Sequence, residues 1–161
     1  MTLLAILTLF GAAVIGGVFF AFSSFVMRAL ARVPATAGLS AMQSINVTVM
    51  NPLFMGAFLG TAATSLGVIA VGIARREDPG AGWLIAGGAL YLIGTFFVTM
   101  RCNVPLNDAL AKLAPEDPGA AGAWTAYVER WTRWNHVRTA AALLAVLALV
   151  AGLLQAAGAA P

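Results

Sequence analysis

Apolar, uncharged stretches dominate the chain, and four of them are long enough to cross a hydrocarbon core about 30 Å thick, which takes about 20 helical residues. The first covers residues 3–26. No Lys or Arg precedes it, it is too long for a cleavable hydrophobic segment, and Ser23-Ser24 is followed by Phe25 instead of a small residue, so it reads as a retained span and not a signal peptide. The next charge-free stretch, 33–74, has one strong internal punctuation, Asn51-Pro52. Asn before a first-turn Pro is a helix-start signal. The second span is therefore 52–74, stopped by Arg75-Arg76-Glu77-Asp78-Pro79-Gly80, and the third and fourth are 83–100 and 139–157. Short connections make antiparallel neighbours. The expected fold is all-α: a single transmembrane domain over 1–161, folded as an up-down four-helix bundle.

Two pieces between the spans carry their own periodicity. Leu39, Met42, Ile45 and Val49 recur at helical spacing among Gln43, Ser44, Asn46 and Thr48, which predicts an extra surface helix or a re-entrant piece over 38–50. After Asp117-Pro118, a cap and first-turn pair, Trp124, Tyr127, Trp131, Trp134 and Arg138 follow at spacings of 3, 4, 3 and 4 and lead straight into the fourth span. A helix running unbroken from Pro118 to Ala157 is roughly 60 Å long at about 1.5 Å per residue. Its first half must then project from the membrane or bend along its surface. Rows of small residues, Ala13, Gly17 and Ala21 in span one and Gly56, Gly60 and Thr64 in span two, predict where helices approach closely in lipid, and they permit a homodimer.

Composition agrees with a membrane protein: 61% of residues are hydrophobic and 9% charged, against roughly 25% charged in soluble domains. The formal charge of +3 comes from dispersed Arg residues and a single Lys, Lys112. Without a basic cluster or stripe, nucleic acid is excluded as a partner. A positive-inside count places the first and third loops in the cytoplasm, with both termini and the 75–82 loop opposite. The lone Cys102 forms no intrachain disulfide and no cysteine metal cluster, and no metal site is expected.

Unusual residues collect in two segments. In Arg101-Cys102-Asn103-Val104-Pro105-Leu106-Asn107-Asp108, Pro105 lacks an N–H and pushes Val104 from helical angles, so the third helix should end or kink there beneath the amides of Asn103 and Asn107. The second segment is Trp131-Thr132-Arg133-Trp134-Asn135-His136-Val137-Arg138-Thr139. An ionisable group entering a span is costly and faces the bundle or a cavity. At about 100° per residue, Trp131, Trp134, Asn135 and Arg138 share one side, while Glu129, Thr132, Arg133 and His136 share the other. The sequence leaves open which side faces inward.

At these residues the chain resembles the anthrone oxygenase family of small, mostly four-span membrane proteins. The resemblance rests on Asn103-Val104-Pro105-Leu106-Asn107, on Trp134-Asn135-His136-Val137-Arg138-Thr139, and on the region of Asn46 and Asn51-Pro52. It implies oxidation of an anthrone-like aromatic or polyketide substrate with O2 and with neither metal nor flavin, in a multi-pass protein of a bacterial inner membrane. An anthrone is a carbon acid whose delocalised anion passes an electron to O2 unaided, so the protein must supply a base, an anion holder and an apolar slot. The matching roles are His136 as base, Arg101 and Arg138 as holders of the oxyanion, Asn46, Asn103, Asn107 and Asn135 as orienting hydrogen-bond partners, and Trp131 with Trp134 as walls for an apolar aromatic molecule. Two other classes compete: a bundle with His136 as haem ligand, which one His per chain allows as a bis-His site only across a dimer, and a non-enzymatic protein that binds membrane lipid or a protein partner.

Overall fold

The computed structural model describes residues 2–159. They form five helices, α1 (Thr2–Leu30), α2 (Ala35–Thr48), α3 (Pro52–Ala74), α4 (Ala81–Leu110) and α5 (Ala120–Gly158), and no strand occurs among the described residues. All but α2 are long and apolar enough to cross a membrane. Helix α1 packs on α5 and α3, and α4 packs on the same two, so the order around the bundle is α1, α5, α4, α3 with antiparallel neighbours. The up-down bundle expected from the span pattern is the observed fold, with α2 inserted in the first connection.

Local chemistry sets the helix ends. Asn51 caps α3, its side chain accepting from Phe54 N–H at 3.0 Å, and Pro52 fills the first turn, where no donor is needed. Gly80 begins α4 at φ 84°, a left-handed conformation that suits glycine, and it lies so close to Gly152 of α5 that a Cβ would collide with the Gly152 carbonyl oxygen. Helix α5 starts two residues later than the Asp117-Pro118 pair suggests. Asp117 instead closes the preceding turn, its carboxylate accepting from Ala114 N–H and its carbonyl from Ala120 N–H.

Pro105 does not end α4. The helix runs on to Leu110, because the preceding segments Leu90–Phe97 and Thr99–Asn103 are wound as π-helix and re-pair the backbone around the ring with wider turns. A third such segment, Phe22–Val26, lies in α1, where Met27 N–H bonds to Phe22 O. Phe22–Val26 and Thr99–Asn103 lie toward the same end of the bundle, and Leu90–Phe97 runs from the middle of α4 toward it.

At that end α2 roofs the helices. Leu39 and Met42 are fully buried there with Met27, Leu110, Trp124, Tyr127 and Trp131, the cluster that anchors the first half of α5. The long helix is unbroken over 39 residues, longer than a span requires, and the aromatic stripe of its first half is covered by α2 and by the ends of α1 and α4. Each large side chain buried from water there contributes about 1.5–3 kcal/mol. Inside lipid that drive vanishes and close packing replaces it. The contact points are Gly11 against Thr61, Gly16 against Ala142, Gly87 against Leu149 and Gly94 against Ala141. The predicted rows are not among them. Ala13, Gly17, Gly56 and Gly60 are exposed on the outside of the bundle, and a Cβ on any of those three glycines meets nothing. Repetition of small residues every fourth position selected the wrong stripe, because nearby Gly11, Gly16 and Thr61 do the packing.

Candidate functional site

Arg138 of α5 points into the bundle and is 3% exposed. Its guanidinium is stacked against the ring of Phe19 at 4.0 Å on α1 and lies 5.0 Å from the ring of Trp131, one and a half to two turns back on α5. Nη2 donates to Asn135 Oδ1 at 2.8 Å and Nη1 to Thr99 Oγ1 at 3.3 Å. Nε is buried without a hydrogen-bond partner. Among the described residues no Asp or Glu forms an ion pair with it. A buried cation held only by neutral groups is costly and calls for an anion.

Neighbouring amides extend this cluster. Asn135, fully buried, donates through Nδ2 to Phe19 O at 2.8 Å and to Ser23 Oγ at 2.7 Å, tying α5 to the π-wound turn of α1. Ser23 Oγ lies 3.0 Å from Thr139 Oγ1, which donates back to Asn135 O. From α4, Asn103 donates to Trp131 O at 3.2 Å while its Oδ1 is buried without a partner. Asn107, one turn on, accepts on a single oxygen from Tyr127 OH and Trp131 Nε1, each at 2.9 Å. Thr95 Oγ1 donates to Arg138 O at 3.2 Å. On the roof helix α2, Asn46 is half-buried with Nδ2 lacking a partner. The widened turns of α1 and α4 flank this cluster, and such turns are frequent at functional sites.

Of the residues singled out from the sequence, the fold brings together Arg138, Asn135, Asn103, Asn107 and Trp131, with Asn46 on the helix above. It does not bring in the other three. Arg101 is exposed on the outer side of α4. Trp134 is 38% exposed on the bundle surface, as interfacial tryptophans are. His136 is exposed on the flank of α5 opposite Arg138, beside Met27 and Arg28 of α1. The question of which side of α5 faces inward is thus answered: Trp131, Asn135 and Arg138 do, and His136 does not. Phe19, Ser23, Tyr127, Thr95 and Thr99 join the cluster without having been picked from the sequence as site residues. A polar Ser23 in an apolar span was the only signal for α1, and nothing marked Phe19.

The anthrone oxygenase family profile matches residues 47–148, more than half of the chain and every site residue named above except those on α1 and Asn46. The chain belongs to the anthrone oxygenase family. It is accordingly a multi-pass membrane protein with an anthrone oxygenase domain, and the buried Arg138 and Asn135 lie within that domain. No curated protein and no solved structure matches the chain. Among the described residues no three His, Cys, Asp or Glu side chains come together in a group that would hold a metal ion.

Proposed function

We propose that this anthrone oxygenase family member is a membrane-embedded oxygenase that converts an anthrone-like carbon acid to the corresponding quinone with O2, and that Arg138 holds the substrate oxygen on which negative charge develops. The observation that carries this reading is the buried guanidinium with no carboxylate partner and with an N–H of Nε unpaired. A cation in that state gains most from an oxyanion that appears only as the reaction proceeds. Aromatic faces at Phe19 and Trp131 suit a flat substrate. Asn103 Oδ1, buried without a partner, supplies a neutral acceptor that orients it, and Asn107 fixes the ring of Trp131 through Nε1.

The reaction balances without a cofactor. The C–H bond opposite the carbonyl breaks, its proton goes to water, and the electron pair delocalises onto the oxygen held by Arg138. One electron passes to O2, giving a substrate radical and superoxide, and these join in a C–O bond. The resulting peroxide takes up a proton. Loss of the second C–H proton with cleavage of the O–O bond then releases water and leaves the new carbonyl, so that anthrone plus O2 gives anthraquinone plus water. His136 is absent from these steps, since it sits on the far flank of α5.

The test is O2 uptake and quinone absorbance with purified protein in detergent and a simple anthrone. The expected result is one O2 consumed per quinone formed, at a rate well above spontaneous autoxidation. Folded protein that adds nothing to the spontaneous rate on any anthrone overturns the reading.

A further inference from the structure

The outer flank of α5 carries a second set of charged groups, Arg28, Glu129, Arg133 and His136, that the Arg138 cluster does not use. Two depressions follow the seam between α1 and α5 and meet at His136. The first, about 410 Å³, is lined by Met27 and Arg28 from α1 and by Glu129, Thr132, Arg133 and His136 from α5. The second, about 340 Å³, lies further along the seam in the direction of the fourth span, against Phe20, Ser24, Thr139 and Leu143. One end of the seam therefore carries Arg28, Arg133 and Glu129, and the other has no Arg, Lys, Asp or Glu and sets Phe20 and Leu143 beside the hydroxyls of Ser23, Ser24 and Thr139. Phe20 and Leu143, 55% and 42% exposed, face outward where lipid chains run.

The polar end is incompletely satisfied. Arg28 forms no ion pair among the described residues. Arg133 pairs only with Glu129 on its own helix, at 3.0 Å with both side chains about 70% exposed, a contact weak enough for another anion to share. Thr132 Oγ1 is buried with no hydrogen-bond partner. Arg28 follows the charge-free first stretch 3–26, and Thr132 and Arg133 lie nearly two turns before the fourth, 139–157, where a bilayer boundary is expected. Cationic side chains above an apolar groove at that depth complement a phosphate with an acyl chain attached, and charge separates the candidate lipids. A zwitterionic headgroup brings an ammonium toward Arg28 and Arg133, whereas an anionic one does not.

We infer that the α1–α5 seam binds one anionic phospholipid from the surrounding bilayer, its phosphate between Arg28 and Arg133 beside His136 and one acyl chain along Phe20 and Leu143. The phosphate position is separate from Arg138, although the far end of the seam borders the buried cluster at Ser23 and Thr139, and the inference does not depend on the oxygenase reading. It gives His136, an ionisable group on the lipid-facing side of the bundle, a polar neighbour in the membrane.

Native mass spectrometry of the full chain, extracted from bilayers of equal parts phosphatidylglycerol and phosphatidylcholine, tests this. Wild type is expected to retain one phosphatidylglycerol in preference to phosphatidylcholine. In the Arg28→Gln/Arg133→Gln variant, whose positions are exposed, the preference falls by roughly fivefold for each arginine removed. Arg130→Gln, an exposed arginine on α5 that does not line the seam, leaves it unchanged. Equal retention of the two lipids by wild type overturns the site. So does an Arg130→Gln effect as large as that of the double variant, which would mean diffuse charge attraction.

Discussion

Arg138 and Asn135, one turn apart on α5, meet through Nη2–H and Oδ1 at 2.8 Å, and Asn135 passes the contact on to Ser23 and the Phe19 carbonyl of α1. The guanidinium is thus oriented by an amide, and the amide by a second helix. An amide fixes direction without cancelling charge, as a carboxylate would. This leaves the cation without a counter-charge among the described residues.

Arg138→Gln is expected to lower anthrone oxidation by about 10²-fold or more, the scale of losing a preorganised oxyanion donor. Arg138→Lys should fall between, keeping the charge but losing the planar fork. The melting temperature should move by no more than about 4 °C, the shift given by about 1 kcal/mol in a chain of this size. Loss of the guanidinium's hydrogen bonds and of its stacking on Phe19 and Trp131 is offset by removal of an unpaired buried charge. A Gln variant that is folded and fully active removes Arg138 from the reaction.

His136→Gln separates the two flanks of α5. A general base contributes about 10²–10⁴-fold, and a residue outside the cluster contributes none of it. Quinone formation should stay within about threefold of wild type, read as initial rate at saturating O2. A hundredfold loss in a folded variant would restore His136 as the base and place the substrate in the seam instead.

Much of this was legible in the sequence, and the failures share a cause. Charge-free length gave the four spans, and Asn51-Pro52 gave the start of α3, because both are local properties of a helix in lipid. The inward face of α5 was not legible: Trp131, Asn135 and Arg138 form a polar-aromatic stripe, and His136 with Thr132 forms another, so periodicity alone ranks them equally. Packing decides. Asn135 finds the Phe19 carbonyl and Tyr127 finds Asn107, partners distant in sequence, and His136 finds none of these. Pro105 misled for a related reason, since the wide turns that absorb it depend on backbone winding before the proline and not on the proline itself. Arg101, two residues before Asn103, points outward because at about 100° per residue the two diverge by about 200° on the helix.

Asn107→Leu should destabilise the end of the bundle under α2. One oxygen of Asn107 serves Tyr127 OH and Trp131 Nε1, whose residues are each 5% exposed. Its removal strands two buried donors at about 1–3 kcal/mol each. A lower melting temperature in detergent and a changed tryptophan emission are expected, while Asn107→Asp keeps an acceptor and should retain most of the stability. If Leu and Asp are equally well tolerated, the shared acceptor is not what holds the aromatic stripe.

Gly80 offers a test of how α4 is brought into register with α5, and through that register, of the site itself. Its φ of 84° costs an L-residue roughly 1–2 kcal/mol, and a Cβ there would strike the backbone of Gly152, which cannot swing aside as a side chain does. Gly80 beside Gly152, Gly94 beside Ala141, and Asn103 beside Trp131 are successive points of the same antiparallel contact. Moving α4 at one end therefore shifts Thr99 and Asn103 against Arg138 and Trp131 at the other. Gly80→Ala is expected to cost about 2 kcal/mol or more and to lower quinone formation, although position 80 lies at the opposite end of the bundle from the cluster. Gly82→Ala is the control: a Cβ there meets nothing, and in the first turns of α4 it should be neutral or gain up to about 1 kcal/mol of helix propensity. Thermal unfolding followed by circular dichroism, with O2 uptake on the same samples, reads both effects. A Gly80→Ala protein as stable and as active as Gly82→Ala would show that the approach of Gly80 to Gly152 does not set the position of α4.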